Sequence, residues 1–246
     1  MQLFRSLLFT TYMMASACLF GGVMALGFWL PYRTQFAIAR CWARLLLRVL
    51  EHLCGLSFTV EGRERIPAGN HIVMSNHTSA WETIAQFLIF PPQVWVLKRE
   101  LLWIPFVGWG LKRLRPIAIN RGEGHRAVNQ VIEQGKERLA DGLWIIVFPE
   151  GTRVPAGETR KYGVSGALLA IASGRCVVPL AHNAGTFWRR RGFMKKPGTI
   201  RVVIGEPIMP VSQDPRELNE RVRQSIDAGL ARIAISSNTA DTGDSR

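Results

Sequence analysis

The chain of 246 residues carries 31 Lys and Arg against 18 Asp and Glu, giving a formal net charge of +13, and 48% of it is hydrophobic. This hydrophobic fraction excludes a mostly disordered chain, and the length is sufficient for one domain with a sizeable core. The positive charge indicates an anionic partner, and composition leaves nucleic acid, an anionic membrane surface and a phosphorylated substrate open.

Residues 6–32 contain no charged side chain and predict a membrane helix. A helix of about 20 residues crosses the hydrocarbon core, so the segment is long enough to span, and a shallow insertion into one leaflet fits the same composition. A cleaved signal peptide fits less well, because its apolar core is about 7–15 residues long.

Residues 34–54 follow with the pattern of an amphipathic helix, in which Arg40, Arg44 and Arg48 lie opposite an apolar face. Such a helix can lie in the headgroup layer, and an ordinary surface helix packed on the domain is the alternative. Because arginines follow the apolar segment, the positive-inside rule places the remaining chain in the cytoplasm. We therefore predict that residues 1–55 anchor the protein at the cytoplasmic face of the inner (plasma) membrane.

Beyond residue 56, short apolar runs alternate with helical stretches, which is typical of an α/β domain with a mostly parallel or mixed central sheet flanked by helices. We place this domain at 56–235 and expect a flexible tail at 236–246. Helices are predicted over 123–140, over 164–173 and after a cap at Asp214. The predicted strands are 57–62, 71–76, 94–99, 116–121, 143–148, 176–181 and 199–205.

Four cysteines lie in apolar surroundings, without the paired spacing of a disulfide scaffold or a zinc cluster. We interpret them as buried free thiols and expect no metal ion and no cofactor. The four are Cys18, Cys41, Cys54 and Cys176.

His77 directly follows the strand predicted over 71–76, and Glu82 comes five positions later. If a helix begins between them, the carboxylate can accept a hydrogen bond from one ring nitrogen and leave the other free to take a proton. The alternative is structural, with His77 as a cap and Glu82 in a first helical turn, where the macrodipole favours acids.

A second dense group of polar residues, Glu150 to Arg153, follows the strand predicted over 143–148. Gly151 allows close backbone approach to a ligand, and the guanidinium of Arg153 suits a phosphate, although a tight charged turn has the same composition. In a parallel sheet both groups would meet at one carboxyl edge, where α/β proteins bind ligands.

Together, NHTSAWE at 76–82 and FPEGTR at 148–153 resemble ordered motifs of the glycerolipid acyltransferase family, most closely its bacterial 1-acyl-sn-glycerol-3-phosphate acyltransferases. The resemblance covers roughly residues 56–210. The family's usual pattern is His, four residues and then Asp; this chain keeps the spacing but has Glu82 in place of Asp. Further similar blocks are KREL at 98–101, WIPFVGWGL at 103–111, PIAINRG at 116–122 and VVPLAHNAG at 177–185.

The resemblance implies that His77 is the general base on an acceptor hydroxyl and that Glu82 orients it. It also implies that Pro179 and its neighbours border the acyl-donor region. The implied substrate-binding residues are Lys98, Arg121, Glu150, Gly151, Thr152 and Arg153.

Residues 187–201 mix aromatic side chains with Arg189, Arg190, Arg191, Lys195 and Lys196. Nucleic-acid binding is the obvious rival interpretation. Beside a membrane anchor, binding to anionic headgroups fits better, at about 1 kcal/mol per basic residue near the surface. The same run also fits a docking surface for an acidic acyl-carrier protein, or an ordinary solvated face.

Other sequence patterns are weaker. The segment around Ser165 misses the GxSxG pattern because Ala167 replaces the last glycine, so a serine hydrolase is not favoured. The remaining histidines, with His182 as a minor candidate, are interpreted as surface or core residues. They are His52, His71, His125 and His182.

The sequence thus predicts an enzyme that moves an acyl group from acyl-CoA or acyl-acyl carrier protein to the sn-2 hydroxyl of 1-acyl-glycerol-3-phosphate, giving phosphatidic acid. A different lysolipid or an ornithine-type acceptor is the alternative within this class. A non-catalytic basic protein that binds membranes or nucleic acid is the alternative outside it, although no nucleic-acid partner is expected.

Overall fold

The computed structural model describes residues 1–241, apart from the side chains of Arg121 and of 237–241. The helices are α1 (Gln2–Leu26), α2 (Tyr32–Cys54), α3 (Trp81–Ile89), α4 (Val107–Arg113), α5 (His125–Ala140), α6 (Ser165–Ser173), α7 (Ala184–Phe187) and α8 (Pro215–Asp241). The strands are β1 (Leu56–Glu61), β2 (Ile72–Ser75), β3 (Gln93–Lys98), β4 (Ile117–Ile119), β5 (Trp144–Val147), β6 (Val177–His182) and β7 (Gly198–Ile204).

The seven strands form one sheet in the order β1-β7-β6-β2-β5-β3-β4. All neighbours are parallel except β6 and β7, which are antiparallel. The mixed α/β class is therefore confirmed, and each predicted strand coincides with an observed one. The central strands β2, β5 and β6 are buried on both faces, as is usual when helices cover a parallel sheet on both sides.

Alternate residues of the central strands point into two separate hydrophobic cores. On one face Val73, Ile146 and Val178 pack with side chains of α2 and α3. On the other face Ile72 and Ile145 pack with side chains of α5, α6 and α8. The sheet is therefore clamped between two helical layers, which fixes the positions of the loops at its carboxyl edge.

The predicted apolar and amphipathic helices form an antiparallel hairpin, α1 and α2. The amide of Gln35 donates to the carbonyls of Met24 and Gly27, and the amide of Gln2 donates to the carbonyl of Cys54, so both ends of the hairpin are closed. Helix α1 is long and apolar enough to cross a membrane. Its outward side keeps large apolar side chains exposed, including Phe4 and Leu19.

Helix α1 also packs closely on α4 through two glycines. A Cβ built on Gly21 would lie 2.5 Å from the carbonyl oxygen of Phe106, and one on Gly110 would lie 2.6 Å from the Cα of Gly21. Any larger side chain at either position would push the two helices apart, because the atoms it would meet belong to the backbone and cannot move aside as a flexible side chain can.

Two features differ from the expected pattern. Helix α8 continues to Asp241, so the tail expected from residue 236 is helical as far as that residue, and 242–246 lie outside the described part. The thiols of Cys54 and Cys176 are buried and free as expected, whereas Cys18 is only half-buried and Cys41, on the outer side of α2, is exposed.

Candidate active site

The residues predicted for chemistry follow strands that are neighbours in the sheet. His77 follows β2, the segment from Glu150 to Arg153 follows β5, and Lys98 ends β3. Since β2, β5 and β3 are parallel and adjacent, these carboxyl ends lie at one edge of the sheet. His182 ends β6 on the other side of β2 and joins the same edge.

His77 and Glu82 form a hydrogen-bonded pair, with 2.7 Å between Nδ1 of the ring and Oε1 of the carboxylate. Helix α3 begins at Trp81, so Glu82 lies in its first turn, and Oε1 also accepts the backbone N–H groups of Thr78 (3.0 Å) and Ser79 (2.9 Å). The carboxylate thus selects the tautomer with a proton on Nδ1, which leaves Nε2 as a proton acceptor.

Glu82 is 1% exposed, and its environment favours the ionised form. Burial by itself raises the pKa of this carboxyl, but His182, the hydrogen bond and charge of His77, and the backbone N–H of Ser79 lower it, and the net direction is down. A carboxylate that stays ionised can stabilise an imidazolium formed on His77.

His182, which the sequence made only a minor candidate, lies beside Glu82 in the site. It is buried, and its Nε2 donates to the carbonyl of Asn76 (2.8 Å) while its Nδ1 accepts the N–H of Ala184 (3.3 Å). Burial lowers the pKa of this ring, although the charge of Glu82 and the hydrogen bond to Asn76 act in the opposite direction, and its Nε2 lies 4.0 Å from Oε2 of Glu82. No sequence spacing points to this contact, since His182 and Glu82 belong to different strand-end loops.

Glu150 reaches back from the β5 loop to the β2 loop. Its Oε2 accepts the backbone N–H of His77 at 3.0 Å, so it holds the histidine's main chain rather than its ring. Burial raises the pKa of Glu150 to about 7, although the hydrogen bond from His77 lowers it, and the charge of Glu82 raises it further.

The raised pKa of Glu150 predicts a specific dependence of stability on pH. The folded carboxyl keeps its proton up to about 7, against an ordinary pKa of 4.5 in the unfolded chain. The stabilising contribution is complete below 4.5 and is lost as pH rises through 7. Between pH 5 and pH 8 we expect wild type to lose stability relative to Glu150→Gln, so the Tm of the variant should rise relative to that of wild type. Because Glu150 is partly exposed to solvent, the corresponding change in the free energy of unfolding should be about 2 kcal/mol. Melting curves at several pH values measure it, and parallel Tm profiles of the two proteins would refute it.

An apolar cavity of about 240 Å³ opens beside His77. The ring of His77 is stacked on Phe148, with 4.0 Å between centroids and 17° between planes. Hydrophobic side chains, among them Trp42 and Phe87, line most of the cavity, and Lys98 and Arg153 supply its two cations. The site thus combines a base, an apolar recess and positive charge.

Arg153 lines this cavity with unused hydrogen-bonding capacity. Its Nε is buried and has no hydrogen-bond partner among the described atoms. Burial lowers the pKa of the guanidinium, which nevertheless stays charged at neutral pH. Lys98 is half exposed, and its ammonium group lies 3.3 Å from the carboxylate of Glu100.

The other predicted residues occupy different places. Gly151 adopts a left-handed conformation (φ 69°) in the β5 loop and lines a second cavity of about 250 Å³ under that loop. Thr152 lies between it and Arg153, and Arg121 begins the turn after β4, with its side chain outside the described part. Pro179 is buried within β6, paired with Met74, and lines neither of these two cavities.

The basic residues of the segment 187–201 fall into two groups. Arg189, Arg190, Arg191 and Lys196 are exposed, whereas Lys195 is only 2% exposed. The placement of Lys195 among headgroup-binding side chains is therefore wrong. Its ammonium group is enclosed by the rings of Phe9, Trp188 and Phe193 and bonds to Thr10 and to the carbonyl of Phe193.

The arrangement suits proton transfer by side chains. A base oriented by a buried carboxylate can activate a hydroxyl, and adjacent cations can hold an anionic group of the same molecule. Within residues 1–241, no group of three His, Cys, Asp or Glu side chains is placed to hold a metal ion.

Comparison with known proteins gives a consistent result. The family model described as "Acyltransferase" matches residues 57–183. The chain is 39% identical over 241 residues to a 1-acyl-sn-glycerol-3-phosphate acyltransferase of Pseudomonas aeruginosa, covering 95% of this chain and 93% of the relative. It is 26% identical over 189 residues to the human 1-acyl-sn-glycerol-3-phosphate acyltransferase alpha, covering 74% of this chain and 67% of that protein.

A solved structure has the same fold. The crystal structure of the 1-acyl-sn-glycerophosphate (LPA) acyltransferase from Thermotoga maritima superposes with a TM-score of 0.80 at 24% identity. The match covers 95% of this chain and 96% of that chain, so it includes the α1–α2 hairpin as well as the sheet.

Proposed function

Because the chain belongs to the acyltransferase family, we propose that it transfers a fatty acyl group from an acyl thioester to the sn-2 hydroxyl of 1-acyl-glycerol-3-phosphate, forming phosphatidic acid. The observation that carries the proposal is the His77–Glu82 pair beside an apolar cavity that holds Lys98 and Arg153. The donor is acyl-CoA or acyl-acyl carrier protein, since the same chemistry serves both thioesters.

In this mechanism Nε2 of His77 removes the proton of the sn-2 hydroxyl while the oxygen attacks the thioester carbonyl. Glu82 stabilises the resulting imidazolium through Nδ1. The tetrahedral intermediate then collapses, the C–S bond breaks, and the departing thiolate takes the proton from the imidazolium. Glu150 keeps the backbone of His77 in place through its hydrogen bond to the N–H.

The two cations of the cavity bind the acceptor. Arg153 offers a planar fork for the phosphate of lysophosphatidate, and Lys98 adds a second positive charge. The family resemblance implies that Arg121, Gly151 and Thr152 also belong to the acceptor end, although Gly151 lines the second cavity and not this one. The hydrophobic part of the cavity, around Trp42 and Phe87, takes an acyl chain.

The role of Arg153 is tested by Arg153→Ala. We expect the KM for lysophosphatidate to rise by about 10- to 100-fold, because a charge-assisted contact to phosphate is worth roughly 1.5–3 kcal/mol. Initial rates are measured at varied acceptor and then at varied donor. A change confined to the donor's KM would show that Arg153 does not bind the acceptor.

The acceptor and the donor are tested together. Purified protein is offered lysophosphatidate, other lysophospholipids and an ornithine-type lysolipid, each with acyl-CoA and with acyl-acyl carrier protein. Lysophosphatidate should give the highest kcat/KM, because Arg153 and Lys98 match a phosphate monoester. Preference for a zwitterionic or amino-acid-based acceptor would contradict the proposal and favour the alternative lysolipid activity.

We also propose that the protein sits on the cytoplasmic face with α1 in one leaflet. Both ends of α1 touch the α/β domain: Gln2 bonds to the carbonyl of Lys195, and Gly21 contacts Phe106 of the segment before α4. A helix that crossed the bilayer would carry one end away from the domain. Because Cys41 is itself exposed, Trp29→Cys is made together with Cys41→Ser. Thiol labelling of this variant from the cytoplasmic side of vesicles supports the placement, and labelling only from the opposite side would exclude it.

A further inference from the structure

A large cavity in the described part of the chain is not used by the acyl-transfer mechanism. It has a volume of about 680 Å³ and lies next to the β2 loop, where Thr78 forms part of its wall. Its rim is formed by Arg189, Arg190, Arg191 and Lys196, and we call these four residues the cation rim. The volume falls in the range of about 300–1,000 Å³ that small ligands and cofactors occupy.

The cation rim carries four positive charges that no described carboxylate neutralises. None of the four residues takes part in an ion pair within the described chain. Among these four side chains, that of Arg190 donates a hydrogen bond of 2.7 Å to the carbonyl of Arg153. Four like charges around one recess repel one another, and this repulsion is relieved when the recess holds a ligand with several negative charges.

The loop that carries the cation rim is held in place. The ends of the loop pair through an antiparallel bridge between Trp188 and Lys195, and the N–H of Lys196 bonds to the carbonyl of Phe187 at 2.9 Å. The buried ammonium of Lys195, enclosed by aromatic rings, anchors the loop to α1. The rim is therefore a built surface and not a loose solvated turn.

The recess lies next to the reacting centre but on the other side of the β2 loop from the acceptor cavity. Thr78 lines the recess, and the preceding residue, His77, lines the apolar cavity with Arg153. The hydroxyl of Thr78 accepts the N–H of Gly185 at 3.0 Å, and the carbonyl of His77 accepts the N–H of Val154 at 2.7 Å. These two hydrogen bonds hold the β2 loop in place between the recess and the apolar cavity. A molecule bound in the recess can therefore extend toward His77 without displacing the acceptor.

We propose that this recess binds the nucleotide phosphates of coenzyme A in the acyl-CoA donor, which rests on the acyl-transfer function proposed above. The 3′-phosphate and the diphosphate of coenzyme A supply the several charges that the cation rim requires. The phosphopantetheine arm then runs past Thr78 and presents the thioester to the hydroxyl activated by His77. A concave recess of this volume suits a nucleotide, whereas a carrier protein docks over a broad surface.

The assignment is tested with palmitoyl-CoA and palmitoyl-dephospho-CoA, which lacks the 3′-phosphate. We expect wild type to show about a 10-fold lower donor KM with palmitoyl-CoA, from one lost charged contact. In Arg189→Ala/Arg191→Ala the KM for palmitoyl-CoA should rise and the difference between the two donors should shrink. The matched control, Lys136→Ala/Arg216→Ala, removes the same charge from exposed positions on α5 and α8 and should keep the wild-type difference.

Three outcomes overturn the proposal. If both donors have the same KM with wild type, the recess does not bind the 3′-phosphate. If the double variant is impaired only with palmitoyl-acyl carrier protein, the cation rim is a docking surface for an acidic protein. If it loses binding to vesicles containing phosphatidylglycerol while its donor KM stays at wild type, the rim binds lipid headgroups.

A binding measurement separates this proposal from the proposed function. Calorimetry with adenosine 3′,5′-bisphosphate needs no turnover, so binding to wild type and its loss in Arg189→Ala/Arg191→Ala support the recess even if lysophosphatidate is not the acceptor. Absence of binding to a protein that acylates lysophosphatidate from acyl-CoA would reject the recess and leave the function intact.

Discussion

Replacing His77 by alanine is expected to lower kcat for acyl transfer to lysophosphatidate by about 10²–10⁴-fold, the usual contribution of a positioned general base. The variant should still fold, because Oε1 of Glu82 keeps the backbone N–H groups of Thr78 and Ser79 as partners. Its KM for lysophosphatidate should change little, since Arg153 and Lys98 remain in place. Initial rates in detergent or in vesicles give both constants.

The matched control for this variant is His52→Ala, which removes an exposed imidazole from α2 and should leave the rates at the wild-type level. A circular dichroism spectrum and a melting curve confirm that the inactive variant is folded. If His77→Ala retained near wild-type kcat, the base would have to be another group, and the mechanism proposed above would fail.

Replacing Glu82 by glutamine is expected to have the second largest effect, a fall in kcat of about 10²–10⁴-fold. The glutamine oxygen can still accept the N–H groups of Thr78 and Ser79, so the start of α3 is preserved. It cannot stabilise an imidazolium as a carboxylate does, so the loss should fall on kcat and leave the acceptor's KM almost unchanged. A change mainly in KM, or a large drop in Tm, would show that Glu82 acts structurally.

Glu82→Asp separates the carboxylate from its reach. Aspartate restores the residue type usual in the family but withdraws the carboxylate by one methylene group. We expect kcat well above that of Glu82→Gln, because the negative charge remains in the first turn of α3 and within reach of His77. Activity as low as that of Glu82→Gln would mean that the 2.7 Å contact to His77 depends on the longer side chain in this fold.

The sequence alone predicted much of the fold, because period-2 and period-3.6 patterns are local properties of the chain. The apolar runs located every strand of the sheet, and the amphipathic segment at 34–54 located α2 almost to the residue. The helix α4 was not predicted, since its two glycines are unfavourable in a helix and are explained only by close tertiary contacts, of Gly108 with the backbone of Leu102 and of Gly110 with Gly21 of α1. A local hydrophobic pattern carries no information about contacts between residues that are distant in the sequence.

The candidate site shows the same division. The order of His77, Glu82 and Arg153 along the chain predicted the chemistry, because strand ends carry the polar residues of an α/β site. The neighbours of these residues depend on the strand order. His182 approaches Glu82 because β6 lies beside β2, and Glu150 bonds to His77 because β5 lies on the other side of β2.

The charge of +13 shows most clearly what the sequence determined and what the tertiary structure determined. The sequence by itself determined the excess of positive charge, which indicates anionic partners, and the uncharged apolar segment that precedes the domain. Only the tertiary structure decided where each cation lies: Arg153 in an apolar cavity, Lys195 buried among aromatic rings, and the cation rim around a separate recess. Composition counts charges, whereas burial and the neighbours that folding brings together determine which ligand each charge can meet.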